Sequence, residues 1–188
     1  MREPPRIHQT ELMTESLVWT PASERLHLLA ASVRKALENE PALAGAEVTE
    51  IDPALADTEA LCGYYDVDPG ACANCVVVAG RRGDQVSFAA CVVLATTRAD
   101  VNGVVRRHLG ARKASFAPLA DVVAETGMEF GGITPVGLPE SWSLLIAEAV
   151  ANHPGVVIGS GLRQSKLRLP GSALAALPSA QVWPDLAV

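Results

Sequence analysis

A chain of 188 residues with 49% apolar and 19% charged side chains is long enough for one globular core, burying roughly 70% of its unfolded surface. No apolar run reaches the roughly 18 residues of a membrane span, and Met1 to Arg6 leads into polar sequence rather than the apolar stretch of a secretion signal. A cytoplasmic protein with reduced thiols and no membrane partner is therefore expected, since four cysteines are too few for a disulfide framework in a chain this long. The net charge of −6 argues against a nucleic-acid partner only until its distribution is counted: residues 1–80 carry −8, residues 81–168 carry +3 and residues 169–188 carry −1. The positive segment suits one basic face against a phosphate backbone, although ordinary solvated charge explains it equally well.

Residues 1–19 lack a period and are expected to form an arm, with a single domain over 20–188. Thr20-Pro21 followed by Leu26, Leu29, Ala30, Val33 and Leu37 predicts a helix over about 21–39. Glu47 to Ile51 alternates like a strand, and Asp57 can cap a short helix through Leu61 that Gly63 ends. Asp66 to Cys72 reads as a loop. Val76–Ala79 and Val86–Ala95, joined by a turn over Gly80 to Asp84, form the clearest hairpin. Thr97 to Leu109 reads as a helix closed by Gly110, and Pro118 to Thr126 as another closed by Gly127, with the basic pair Arg112-Lys113 between them. Leu144–Ile146, Val156–Ile158 and Lys166–Leu169 are short strands, and Pro170 starts a final short helix. Strands interleaved with helices predict an α/β or α+β domain around a mixed sheet.

The most informative stretch is Thr126 to Pro139, with four glycines and two prolines in fourteen residues. Glycine allows close backbone approach and proline stiffens, so such a loop can offer N–H groups to an anion or a developing oxyanion. A second glycine turn, Ile158 to Gly161, follows a buried strand and leads to Arg163, Ser165 and Lys166. Taken alone, each reads more simply as a turn.

Together, the order Thr126-Gly127, Gly131 to Gly137 and Ile158 to Gly161 resembles the YbaK-like prolyl-tRNA editing domain family, whose GxxxP loop matches Gly131 to Pro135. Arg112 to Ser115 and the strand from Asn74 are similar to family segments as well, so the resemblance spans about residues 55–178. It implies a single domain with a mixed, barrel-like sheet and flanking helices. It also implies an aminoacyl-tRNA deacylase, with the aminoacylated 3′ end of a tRNA and an aminoacyl-tRNA synthetase as partners and no cofactor or metal. One departure stands out: the family commonly carries an important lysine where this chain has Asn74.

The chemistry expected from the resemblance uses no protein nucleophile, because the aminoacyl ester is already activated. N–H groups of Gly131, Gly132 and Ile133 would hold the carbonyl oxygen, while Asn74, Thr134 or Ser160 orients a water or the amino acid. Pro135, Gly159, Ser160, Gly161 and Lys166 would shape the substrate pocket. Arg106, Arg107, Arg112 and Arg163 would contact tRNA. Of the three lysines, Lys35, Lys113 and Lys166, the last two fall in the matching segment; Lys113 is expected to supply the positive charge, with Lys166 second.

Two readings compete with deacylation. Asn74 keeps open a catalytically silent tRNA- or protein-binding module of the same fold. Cys72-Ala-Asn-Cys75 has the spacing of a redox pair or half a zinc site, but it runs into Val76-Val-Val rather than a helix, and no second paired spacing of ligands exists. Cys91 reads as a core residue, His108 as a solvent-facing helical residue, His153 as loop, and Trp19, Trp142 and Trp183 as dispersed anchors rather than a base-stacking platform.

Overall fold

The computed structural model describes residues 15–188. The first fourteen residues of the expected arm lie outside that range. Residues 15–19 lie against the body: the Glu15 N–H donates to the Tyr64 carbonyl, and Leu17 and Trp19 pack on a small core cluster.

The strands are β1 (Thr20–Pro21), β2 (Glu47–Glu50), β3 (Ala73–Arg82), β4 (Gln85–Leu94), β5 (Lys113–Phe116), β6 (Ser143–Ala147), β7 (Val156–Gly159), β8 (Ser165–Leu169) and β9 (Ala180–Trp183). The helices are α1 (Ala31–Asn39), α2 (Thr58–Tyr65), α3 (Arg106–His108), α4 (Leu119–Thr126), α5 (Glu148–Ala151) and α6 (Gly171–Ala175). One sheet has the order β1-β2-β8-β7 and is antiparallel; the other has the order β5-β3-β4-β6-β9, in which β6 runs parallel to both neighbours. The expected mixed sheet is thus two sheets, stitched by a single parallel bridge between Cys72 and Val157. Strands of both sheets contribute to one main core, and Ala89–Val93 and Leu144–Ala147 are buried at every position because both faces of β4 and β6 are covered.

Several elements differ from the sequence reading. The helix expected over 21–39 forms only from Ala31; before it lie β1 and two tight turns, Ala22–Glu24 and Leu26–Leu28. Leu28, Leu29 and Ala30 are buried in succession, which one face of a helix cannot achieve, and the Ala30 N–H is taken by the Ser160 carbonyl. Asp57 caps α2, accepting from the Glu59 N–H at 3.0 Å, but the helix continues through Gly63 and stops at Asp66, whose φ is 50°. The hairpin is longer than expected, with Arg82 paired to Gln85 around Gly83-Asp84, so Gly80 lies inside β3. A side chain at Gly80 would strike Leu109 and Ala111, which pack over it. The helix expected over 97–109 shrinks to a wide turn, Val101–Val105, capped by Asp100 and running into α3. The sequence around Arg112-Lys113 gives β5, and α5 and β9 were likewise unforeseen.

Candidate functional site

Two glycine segments interlock to build the site. The Gly161 N–H donates to the Gly132 carbonyl at 2.7 Å, the Glu129 N–H to the Gly161 carbonyl at 2.9 Å, and the Arg163 N–H to Glu129 Oε2 at 2.7 Å. Approach this close leaves no space for side chains: a Cβ at Gly132 would sit 2.7 Å from the Leu162 backbone, and one at Gly159 would sit 2.3 Å from the Gly132 oxygen. Arg163 braces the assembly, its guanidinium donating to the Phe130 and Pro53 carbonyls, each at 2.9 Å.

In front of this interlock, at the seam where Cys72 meets Val157, opens a cavity of about 510 Å³. Asn74, Gly131, Ile133, Gly159 and Lys166 line it, so the three segments singled out from the sequence meet there. Leu61, Val77, Val122 and Ile158 add an apolar wall. Among the described residues, Asp57 and Lys166 are the charged side chains in the lining. Lys166 is 6% exposed, its Nζ donates to the Ala56 carbonyl at 2.7 Å, and burial lowers its pKa against the opposing pull of Cys72 and Asp57. Asp57 keeps one carboxylate oxygen without a donor among the described residues. The Asn74 amide oxygen accepts from the Thr58 hydroxyl at 2.9 Å.

The N–H groups of Gly131 and Ile133 donate to nothing among the described residues, whereas that of Gly132 is used by the Glu129 carbonyl at 2.9 Å. This removes Gly132 from the expected oxyanion donors and assigns it to loop closure. Thr134 and Pro135 are buried and do not line the cavity; the Thr134 hydroxyl has no hydrogen-bond partner among the described residues. Ser160, expected at the substrate, is fully buried in a bond network with Ser165 and the Leu162 carbonyl. Gly161 packs against Ala30 behind it. Both residues support the turn from inside.

Lys113 does not line the cavity. It opens β5, is exposed, and shares a separate hollow of about 470 Å³ with Arg81, Arg106 and Arg112. The ranking by elimination is therefore reversed: Lys166 is the ammonium in the cavity and Lys113 belongs to a basic surface. Arg107 is exposed on α3 outside that hollow, and Arg163 is held by carbonyls as a strut. The ion pairs formed among the described residues are Arg25–Glu50 and Arg168–Glu47, so none of these surface cations has a carboxylate partner there.

The cysteine pair does not act as a unit. Cys72 Sγ lies 3.6 Å from Cys62 Sγ, while Cys75 neighbours Cys91. Burial pushes the Cys72 and Cys91 thiols up to about 12 and raises Cys75 as well, which opposes thiolate chemistry. No group of three or more metal-ligating side chains occurs among the described residues. His108 is half-buried rather than solvent-facing, with Nε2 3.0 Å from the Ser143 hydroxyl and its ring edge-on to Trp183.

Sequence reasoning passed over Asp57, noted only as a cap, and two exposed phenylalanines in the lining, Phe116 and Phe130. Phe130 lies inside the glycine-rich stretch and could have been found there.

These features define a two-sheet α/β domain with a glycine-loop cavity beside a basic surface. The aminoacyl-tRNA editing domain matches residues 52–177, and the chain belongs to that family. Among solved structures, a proposed trans-editing enzyme for prolyl tRNA synthetase is 24% identical with a TM-score of 0.68, covering 82% of this chain and 96% of its own. The hypothetical protein APE2540 is 18% identical with a TM-score of 0.71, covering 84% of this chain and 99% of its own. At these identities the likeness establishes the fold. A scaffold protein for grafted linear epitopes is 25% identical with a TM-score of 0.68, over 82% of this chain and 97% of its own. No curated protein matches the chain. No helix is long and apolar enough to cross a membrane among the described residues.

Proposed function

We propose that this protein is an aminoacyl-tRNA deacylase acting on mischarged tRNA. The observation that carries the reading is the pairing, in one largely apolar cavity, of a buried ammonium from Lys166 with the carboxylate of Asp57 and the unpaired N–H groups of Gly131 and Ile133. An aminoacyl ester presents the complementary set. Its α-ammonium suits Asp57, its side chain suits the wall of Leu61, Val77, Val122 and Ile158, and its carbonyl oxygen suits the free N–H groups with Lys166 nearby.

Water supplies the nucleophile in this reading. Its oxygen attacks the ester carbonyl carbon, negative charge develops on the carbonyl oxygen, and the C–O bond to the terminal ribose breaks, returning a ribose hydroxyl and a free amino acid. Cys72 and Cys75 are in the lining but strongly disfavoured as thiolates, and the Thr58 hydroxyl is engaged by Asn74. Asn74 orients the water or the substrate. The rival reading, a silent binding module, rests on Asn74 standing where the family resemblance implies a lysine. Lys166 weighs against it, because an ammonium reaches the same cavity from β8 instead of β3.

The test is a deacylation screen over a panel of mischarged tRNAs. Release of amino acid from at least one, lost in Lys166→Met and Asp57→Asn, is the expected result. Tight binding of charged tRNA with the ester protected across the whole panel would establish the silent module instead.

A further inference from the structure

Phe116 and Phe130 are 69% and 63% exposed, yet both line the cavity, and so does Leu119 at the start of α4. Ten large hydrophobic side chains are exposed among the described residues, and three of them rim this one opening. Such side chains scattered singly need no explanation; a cluster at a cavity mouth does. Neither phenylalanine joins a hydrophobic cluster of the core. Both are nevertheless mounted on held backbone. Phe116 pairs with Val78 at the end of β5, and the Phe130 ring lies 5.8 Å from the guanidinium carbon of Arg163, which also holds the Phe130 carbonyl.

The surface beyond them supplies the chemistry of an occupant. A trough of about 650 Å³ shares Asn74, Val76 and Phe116 with the cavity. The basic hollow in turn shares Asn102, Ala114 and Ser115 with that trough. The three depressions therefore run on from one another along β5, and the three residue steps from Lys113 to Phe116 span about 10 Å of extended chain. One end offers Arg81, Arg106, Arg112 and Lys113, the middle is largely apolar, and the other end offers exposed rings above the cavity. A polyanion with flat apolar units matches that sequence of surfaces, which is the chemistry of single-stranded nucleic acid.

We infer that β5 is a track for the unpaired 3′ end of an RNA: Phe116 stacks the terminal base, with Phe130 as the second aromatic of the mouth, and the four cations take phosphates further back. The inference rests on the proposed function in taking RNA as the partner, and it names the residues that receive the RNA end.

The test uses the full chain and an uncharged RNA hairpin with an unpaired 3′ end whose terminal base is 2-aminopurine. Binding should quench the fluorophore. Phe116→Ala should abolish the quenching and weaken binding about 5- to 150-fold, the range for losing one base stack. Phe116→Trp should restore both, and Phe116→Leu, apolar without a ring, should not. A blunt hairpin should bind as weakly to the wild type as the overhang does to Phe116→Ala. Quenching unchanged in Phe116→Ala, or equal affinity for blunt and overhanging ends, overturns the track. So would loss of binding to a purified synthetase in Phe116→Ala with RNA stacking intact, which would make the aromatic rim a protein contact. Hydrolysis of mischarged tRNA without quenching defeats the track alone, whereas neither hydrolysis nor RNA binding defeats the proposed function itself.

Discussion

Replacing Gly159 by alanine tests whether the two glycine segments must touch. The added Cβ would lie 2.3 Å from the Gly132 oxygen and 2.5 Å from the Ile133 oxygen, both backbone atoms. Ordinary contact between such atoms begins near 3.4 Å, so β7 and the loop must separate by about 1 Å. Strain of that kind costs about 1–3 kcal/mol, and stretching the 2.7 Å bond from Gly161 to Gly132 adds about 1 kcal/mol. A total of about 2–4 kcal/mol lowers Tm by roughly 4–16 °C in a chain of this size. The same displacement moves the N–H groups of Gly131 and Ile133, so single-turnover deacylation should fall on the order of 100-fold at a temperature where the variant is still folded. Gly155→Ala is the control, since nothing lies within 4 Å of its Cβ position. Thermal denaturation and single-turnover assays on both variants decide it. A Gly159→Ala protein with wild-type Tm and rate would refute the interlock and with it the account of how the cavity is built.

Gly63→Ala, inside α2 with nothing within 4 Å, should stabilise the protein by about 0.5–1 kcal/mol in urea denaturation, and a loss instead would mean that α2 is not formed there. Cys72, Cys75 and Cys91 should react slowly with a disulfide reagent at pH 8 in the native protein and quickly in denaturant; fast native modification of Cys72 with Cys75 would revive the redox reading. Affinity for tRNA should fall steeply with salt, and alanine at Arg81, Arg106, Arg112 or Lys113 should each reduce the logarithmic slope by about 0.7–1, while a flat dependence points to another partner. For Lys166 the sign follows from burial: its folded pKa lies below 10.5, so between that lowered value and 10.5 the unfolded chain binds more protons and stability rises with pH. Lys166→Met should lack this rise, as urea denaturation across alkaline pH would reveal, and parallel curves for the two proteins would contradict a buried, desolvated ammonium.

The legible parts of the fold were those where local chemistry and tertiary environment agree. Pro118 and Gly127, with φ 67°, bound α4 where expected, and the β-branched run of β3 and β4 forms the expected hairpin. The illegible parts are those where a distant segment decides. Leu26, Leu29, Ala30 and Val33 carry a helical period, but the Ser160 carbonyl and the Ser165 hydroxyl claim the backbone of Leu28 to Ala30 and break the helix there. The segment Lys113–Phe116 has no strong strand signal of its own; it is a strand because β3 offers an edge to pair with.

The site divides along the same line, and the two lysines make the reason concrete. Elimination by segment narrows three lysines to two, but choosing between them needs to know what covers each. Lys113 follows Gly110 and sits on an edge strand with nothing over it, so its ammonium stays in water. Lys166 sits in β8, between β2 and β7, where alternation sends Ser165, Leu167 and Leu169 to one face and Lys166 to the other. An alternating pattern marks such a lysine as solvent-facing. Here that second face is closed by Ala56 and by a small cluster that includes Leu61, Cys72 and Val157. Burying an ammonium there is unfavourable without a partner, and the Ala56 carbonyl with the Asp57 carboxylate nearby offsets part of that cost. In the proposed deacylation that residual cost is the source of the Lys166 contribution: an ammonium held by one carbonyl in a largely apolar cavity gains more from a developing oxyanion than a solvated one does, because little water must be displaced when the charge appears.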